Sequence, residues 1–300
     1  MSKLTTLKNA IAEHVQSGDT LYLAGFTHLI PFAAGHEIIR QKKKHLVLAR
    51  ATPDLIYDQL VAAGCAEKVI FSYMGNPGVG SLRLVRQAIE NQELEWEEYS
   101  HFGMISRLQA GAAGLPFMPM KQTGATDLEQ NNPLIKRVKD PYSGEEMIAV
   151  PALRPDVAIV HVQRCDQEGN SQIWGIIGEQ KEVAFAAKKV IITAEEIVDE
   201  NVIRSDPNRT LIPGFIVSAV CHVPYAAHPS YAQGYYDRDN NFYLEWDKIS
   251  SSEELTQSYL KEWVFGVKDR NEYWEKLSAE TRKNLEVAPS FSDKINYGRF

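Results

Sequence analysis

The residues with chemistry to offer cluster in three short stretches. Gly25-Phe26-Thr27-His28 follows an apolar run and sets a hydroxyl and an imidazole beside a glycine, a composition suited to a substrate pocket or to a simple helix-entry turn. Gly75-Asn76-Pro77-Gly78-Val79-Gly80 places three glycines in six positions, where backbone can approach a ligand closely and helix N–H groups can face an anion. It matches neither the dinucleotide fingerprint GxGxxG nor a phosphate loop ending in Gly-Lys-Ser/Thr, so a plain strand-to-helix turn remains the competing reading. Glu97-Glu98-Tyr99-Ser100-His101 joins two acids to a Ser-His pair. Adjacent residues of a strand face opposite ways, so Ser100 and His101 form no nucleophile–base pair without a bend, though they can still touch substrate, and no GxSxG elbow occurs anywhere. Glu195-Glu196 and Asp199-Glu200 read as the solvated start of a helix. The eight histidines show no HExxH arrangement and no metal-ligand spacing with cysteine; His222 and His228 read as loop residues bonding backbone.

These stretches need a scaffold, and the apolar pattern supplies it. Helical spacing at Leu7, Ala10, Ile11 and Val15 ends at Gly18-Asp19, and Leu21–Ala24 is strand-sized. Helix then alternates with strand: Ala33–Lys43, Leu46–Ala51, a helix between Pro53 and Gly64, Lys68–Met74, a helix to Ile89, Leu94–Tyr99 and Met104–Ala113. Lys121–Ser143 is polar and reads as a long surface loop or the seam of a subdomain. Alternation resumes at Met147–Val150, Val157–Gln163, the turn Asp166–Asn170, Gln172–Gly175, the helix Gln180–Lys189, Val190–Ala194 and a strand Phe215–His222, before a helical tail at Glu253–Phe265 and Glu272–Leu277. The prediction is an α/β fold, a mostly parallel sheet with helices on both faces, as one domain over residues 1–300. A possible subdomain insertion lies around 121–146 and a helical tail around 250–300. Ligands of such sheets sit beyond the carboxyl ends of the strands, which singles out the loops after Ala24, Met74 and Tyr99.

Composition narrows the function. With 32 Lys and Arg against 39 Asp and Glu, the net charge of -7 argues against nucleic acid as a partner. The longest apolar runs are strand-sized, far short of the ~20 residues of a membrane span. The N-terminus lacks the apolar core of a secretory signal. Cys65, Cys165 and Cys221 are scattered and read as reduced thiols of a cytoplasmic protein.

Several long segments resemble the A subunit of the family I CoA-transferases, the group that includes the glutaconate and 3-oxoadipate enzymes. They are Leu7–Gly25 with Gly25-Phe26-Thr27-His28-Leu29-Ile30-Pro31, the Gly75–Gly80 loop, and Pro155–His161 with Asp166–Asn170. Glu195–Val198, Ala227–Ser230 and Glu262–Phe265 complete the set, so the likeness spans almost the whole chain. It implies a ping-pong transfer of CoA between carboxylic acids, in which a glutamate carboxylate becomes a glutamyl-CoA thioester. In this family that glutamate lies in the B subunit, followed two positions later by glycine. No glutamate here has glycine at that offset, so the resemblance implies a chain without the nucleophile and a B-subunit partner, in a heterodimer or heterotetramer. It implies no tightly bound cofactor, with a coenzyme A thioester as substrate. On this side of the site it would place Gly25, Phe26, Thr27, His28, Asn76, Gly78, Val79, Gly80, Ser100, His101 and Lys121. The Lys121 ammonium would pair with the far carboxylate of a dicarboxylic acid, or be an exposed loop lysine. Hydrolase relatives that open steroid-derived rings carry an acid near His101 and an arginine near Lys121; this sequence has neither. The segments at Gly25–Pro31 and Ser100-His101 resemble the 3-oxoadipate branch, and Glu262–Leu277 the glutaconate branch.

Overall fold

A computed structural model describes residues 3–76, 80–121 and 126–287. In chain order the first half runs α1 (Leu7–His14), β1 (Thr20–Leu23), α2 (Phe32–Arg40), β2 (Leu46–Ala49), α3 (Leu55–Ala62), β3 (Ala66–Phe71), α4 (Arg83–Glu90), β4 (Glu95–Glu98) and α5 (His101–Ala112). Next come β5 (Phe117–Met120), α6 (Leu128–Asn131), β6 (Lys136–Lys139) and β7 (Glu146–Pro151). The second half holds β8 (Val157–Cys165), β9 (Ser171–Gln172), α7 (Gln180–Ala186), β10 (Lys189–Ile197), α8 (Glu200–Ser205), β11 (Thr210–Ile212) and β12 (Ala219–His222). α9 (Asn240–Ile249), α10 (Glu253–Tyr259), a π-helical turn Leu260–Phe265, α11 (Arg270–Lys276) and α12 (Ala279–Asn284) close the described chain.

Successive parallel pairings give the order β12-β10-β8-β1-β2-β3-β4, with β9 and β11 added antiparallel at the end of β8. The strands are apolar because both faces are covered, and Val157–Val162 of β8 is buried without interruption. One apolar layer joins Leu21, Leu23 and Leu48 to α2, α3 and Tyr243, Trp246 and Tyr259 of the C-terminal helices. The other joins Tyr22, Ala158, Val160 and Ile192 to α5 and α7. The chain leaves β1 toward β4 on one side and returns to β8 on the other. The sheet therefore reverses its winding between β1 and β8, the place where doubly wound sheets open a crevice.

Several regions depart from the sequence reading, three of them near the sheet and its edges. Lys121–Ser143 holds α6 and β6, and β6 pairs with β7 in a separate antiparallel sheet β5-β7-β6. Only Val138 of β6 is apolar, so the strand carries no alternation to read. Phe215 is not in a strand: it lies in a 3-10 turn, Gly214–Ile216, strongly exposed, and β12 begins at Ala219. Glu195 is not at a solvated helix start. It is buried near the end of β10, where its carboxylate accepts from His161 Nε2 (2.6 Å), Tyr236 OH (2.8 Å) and Tyr225 N–H (2.8 Å). Asp199 does cap a helix, α8, through Asn201 N–H.

Candidate active site

The loop after β1 turns on Gly25, whose φ is +132°. A Cβ there would stand 2.7 Å from His28 O and 2.9 Å from Leu29 O, so the turn admits no side chain. Thr27 and Leu29 both take φ +55°, a costly conformation for residues with a Cβ that surrounding structure must enforce. The segment after Tyr225 enforces it. Ser230 Oγ donates to Thr27 O (2.7 Å), and Leu29 N–H donates to Tyr231 O (2.9 Å). His28 sits fully buried beneath the loop. Its Nδ1 faces Ile176 O (2.9 Å), which only accepts, and its Nε2 faces Gln233 N–H (3.1 Å), which only donates. The ring is thereby the neutral Nδ1–H tautomer, and burial pushes its pKa down to about 4.

Around this loop the carboxyl ends of three strands bring polar groups together. Tyr22 OH accepts from Ala51 N–H (3.1 Å) and donates to Glu179 Oε1 (2.8 Å). Arg50, next after β2, is buried and donates from Nη2 to Gly25 O (2.6 Å). Burial raises the Glu179 and Asp54 carboxyl groups above their ordinary range, with the Arg50 charge opposing in both. Past β3, Ser72 Oγ donates to Ala51 O (2.5 Å) and so accepts from His101 Nδ1–H (3.1 Å). Ser100 is not in a strand. It caps α5 by accepting from Gly103 N–H (3.0 Å), and the bend sets His101 edge-on to Phe26 with ring centroids 6.2 Å apart.

The structure thus gathers Gly25, Phe26, Ser100 and His101 at one edge of the sheet, with Thr27 half-buried beside them. His28 supports the loop from below instead of facing the opening. Asn76 is buried and donates from Nδ2 to Tyr243 O (2.8 Å), while its backbone pairs with exposed Gly80 (2.8 and 3.2 Å). Gly78 and Val79 lie outside the described residues. Lys121 follows β5 on the small sheet and meets exposed Glu145 at 3.0 Å. Tyr22, Arg50, Ser72 and Glu179 escaped the sequence reading; for the first three the signal was a polar residue at or just past an apolar strand end. Burial pushes the thiols of Cys65 and Cys221 up to about 11 and about 12, away from reactivity. His228 bonds side chains, Asp239 Oδ2 (3.0 Å) and Tyr273 OH (3.1 Å), whereas His222 bonds Glu195 O (3.0 Å). Among the described residues no group of three or more His, Cys, Asp or Glu is arranged to hold a metal ion, and no helix is long and apolar enough to cross a membrane.

Comparison with known proteins addresses this geometry. The sequence profile of the coenzyme A transferases matches residues 4–222. The chain is 49% identical over 281 residues to the A subunit of 3-oxoadipate CoA-transferase from Pseudomonas knackmussii, covering 93% of this chain and 99% of that one. It is 39% identical over 314 residues to the A subunit of glutaconate CoA-transferase from Acidaminococcus fermentans, with 99% and 98% covered. The crystal structure of glutaconate coenzyme A-transferase from that organism superposes with a TM-score of 0.91 over 96% of each chain, at 38% identity. One chain of the cholesterol ring-cleaving hydrolase of Mycobacterium tuberculosis is more distant, 28% identical over 88% of this chain and 94% of that one.

Proposed function

The chain belongs to the coenzyme A transferase family as an A subunit, and from that we propose that it moves CoA from an acyl-CoA donor to a dicarboxylic acid, with 3-oxoadipate ahead of glutaconate. The observation that carries the reading is the end-to-end match, at 49% identity, to the A subunit of 3-oxoadipate CoA-transferase. The reaction is ping-pong. A B-subunit glutamate attacks the donor thioester and expels CoA thiolate to give a mixed anhydride. The thiolate then attacks the glutamyl carbonyl, forming a glutamyl-CoA thioester and releasing the donor acid as its carboxylate. The acceptor carboxylate runs the same steps in reverse to leave as the new acyl-CoA with the glutamate restored. This chain supplies the opposite wall of a shared site. Its contribution is the rigid Gly25–His28 loop and the ring pair Phe26–His101, which cover the thioester against water. In this reading Asn76 and Gly80 of the next loop and Lys121 also serve substrate binding, and Gly78 and Val79, outside the described residues, are assigned to it by the resemblance alone. Exposed Tyr73 and Phe102 flank it and supply apolar surface for the B subunit in a cytoplasmic heteromer.

The test is reconstitution. Neither chain alone should transfer CoA from succinyl-CoA to 3-oxoadipate, and the mixture should. Borohydride added after acyl-CoA should inactivate the mixture by reducing a glutamate of the B subunit; a reduced glutamate in this chain would overturn the assignment. Turnover of a cyclic acyl-CoA to its ring-opened product without an acceptor acid would point to a ring-opening hydrolase instead.

A further inference from the structure

We propose that Arg50 is the residue that recognises the far carboxylate of the acid, an inference that rests on the dicarboxylate reading above and assigns to it a group other than Lys121. Arg50 is 1% exposed and lies at the carboxyl edge of the sheet, next to the reversal between β1 and β8. One of its nitrogens, Nη2, holds Gly25 O. Its Nε and Nη1 have no hydrogen-bond partner among the described residues. Buried guanidinium N–H groups left unpaired are costly, and either of these nitrogens, paired with the second hydrogen of Nη2, makes the planar two-donor fork that a carboxylate fills.

The surroundings fit an incoming anion. Two carboxyl groups, Glu179 and Asp54, are close enough to Arg50 for their charges to act on one another, yet neither is hydrogen-bonded to it. Glu179 is held by Tyr22 OH, and Asp54 accepts from Leu55 N–H at the start of α3. Burial favours the protonated form of both, which leaves the arginine charge available to a ligand. Above this floor stand Phe26 and His101, whose rings offer apolar walls to a methylene chain. Gly178 lets the segment that carries Glu179 pass beneath Phe26, since a Cβ at Gly178 would stand 2.7 Å from Phe26 Cβ. A dicarboxylic acid laid against these rings presents its far carboxylate to Arg50 and its reacting carboxylate to the partner-facing side. Lys121 already has Glu145 as a counter-charge and is exposed, so it lacks both the burial and the free donors.

The experiment uses the reconstituted complex with R50K and R50Q, a dicarboxylic acceptor (glutarate) and a monocarboxylic acceptor of similar length (pentanoate). R50K should raise KM for glutarate about 30-fold more than for pentanoate, as expected for loss of charge-assisted paired bonds. R50Q should erase discrimination between the two acids. Glutarate binding to the complex, read by calorimetry, should weaken in parallel, so the inference is judged even without turnover. Equal loss on both acids would reduce Arg50 to a brace for Gly25, and unchanged preference in R50K would overturn the proposal outright. A complex that binds glutarate through Arg50 but transfers no CoA would instead sink the transferase reading and leave this one standing.

Discussion

His28 has the most sharply defined electrostatics at the residue scale. Its unfolded pKa is the ordinary 6.5 and its folded value about 4, because a buried ring with one N–H donating and one nitrogen accepting resists a second proton. Between those values the unfolded chain binds a proton that the folded chain refuses, so stability rises with pH through this window. The contribution is fully present above pH 6.5 and disappears as pH falls toward 4, by about 3 kcal/mol for a shift of this size. Urea unfolding at pH 7.5 and 4.5 should show that loss in the wild type and a smaller one in His28→Asn; equal losses in both would refute the assignment. His28 also shows what the sequence could not display. An imidazole beside Gly25 and Thr27 looks the same whether it faces substrate or supports the turn, and Ile176 and Gln233, which decide the matter, arrive from far along the chain. Arg50 was illegible for the same reason, since its partner is a carbonyl across the sheet.

Among elements, the β1–α2 turn and the start of α5 aim the side chains, and they do so by different means. Gly25 needs φ +132° and tolerates no Cβ, since His28 O and Leu29 O crowd it. Gly25→Ala should lower stability by about 2–4 kcal/mol, combining backbone strain with a displaced loop. It should also cut CoA transfer at least tenfold in the protein that still folds; a melt within about two degrees of the wild type and full activity would contradict this. Ser100→Ala removes only a cap, which costs about 1 kcal/mol. Its effect on activity should come through a looser His101, visible as a changed KM and reversed by Ser100→Thr or Ser100→Asp, which restore the cap. The strand and helix alternation that positions both turns was readable because buried parallel strands are continuous apolar runs, as in Leu21–Ala24 and Val157–Val162. β6 and α9 were not. Lys136–Lys139 is nearly all charged, and α9 buries only Tyr243 and Trp246 while much of its remaining surface is polar.

On the scale of the whole molecule, the family profile stops at residue 222 while the fold does not. Tyr243, Trp246, Tyr259, Leu260 and Val264 lie in the same apolar layer as Leu23, Leu48 and Ile56 of the sheet side. Burying each such side chain contributes about 1.5–3 kcal/mol, so the five together contribute on the order of 10 kcal/mol, comparable to the whole stability of a typical domain. Polar ties reinforce the layer. Trp246 Nε1 donates to Asp58 Oδ2 (3.1 Å), and the other Asp58 oxygen accepts from Leu84 and Val85 N–H at the start of α4. Asn76 Nδ2 reaches Tyr243 O, so the C-terminal helices also hold the loop after β3. A chain ending at His222 should therefore be insoluble or melt without cooperativity, although it contains every described strand of the sheet. The point change Trp246→Phe, which keeps most of the ring but strands Asp58, should lower stability by about 2 kcal/mol and leave the Phe26–His101 edge intact. Circular dichroism melts of the wild type, the truncated chain and the point variant supply the measurement. A truncated chain that unfolds cooperatively near the wild-type temperature would show that the sheet and its site stand without the helical end, and that the layer shared with Trp246 is dispensable.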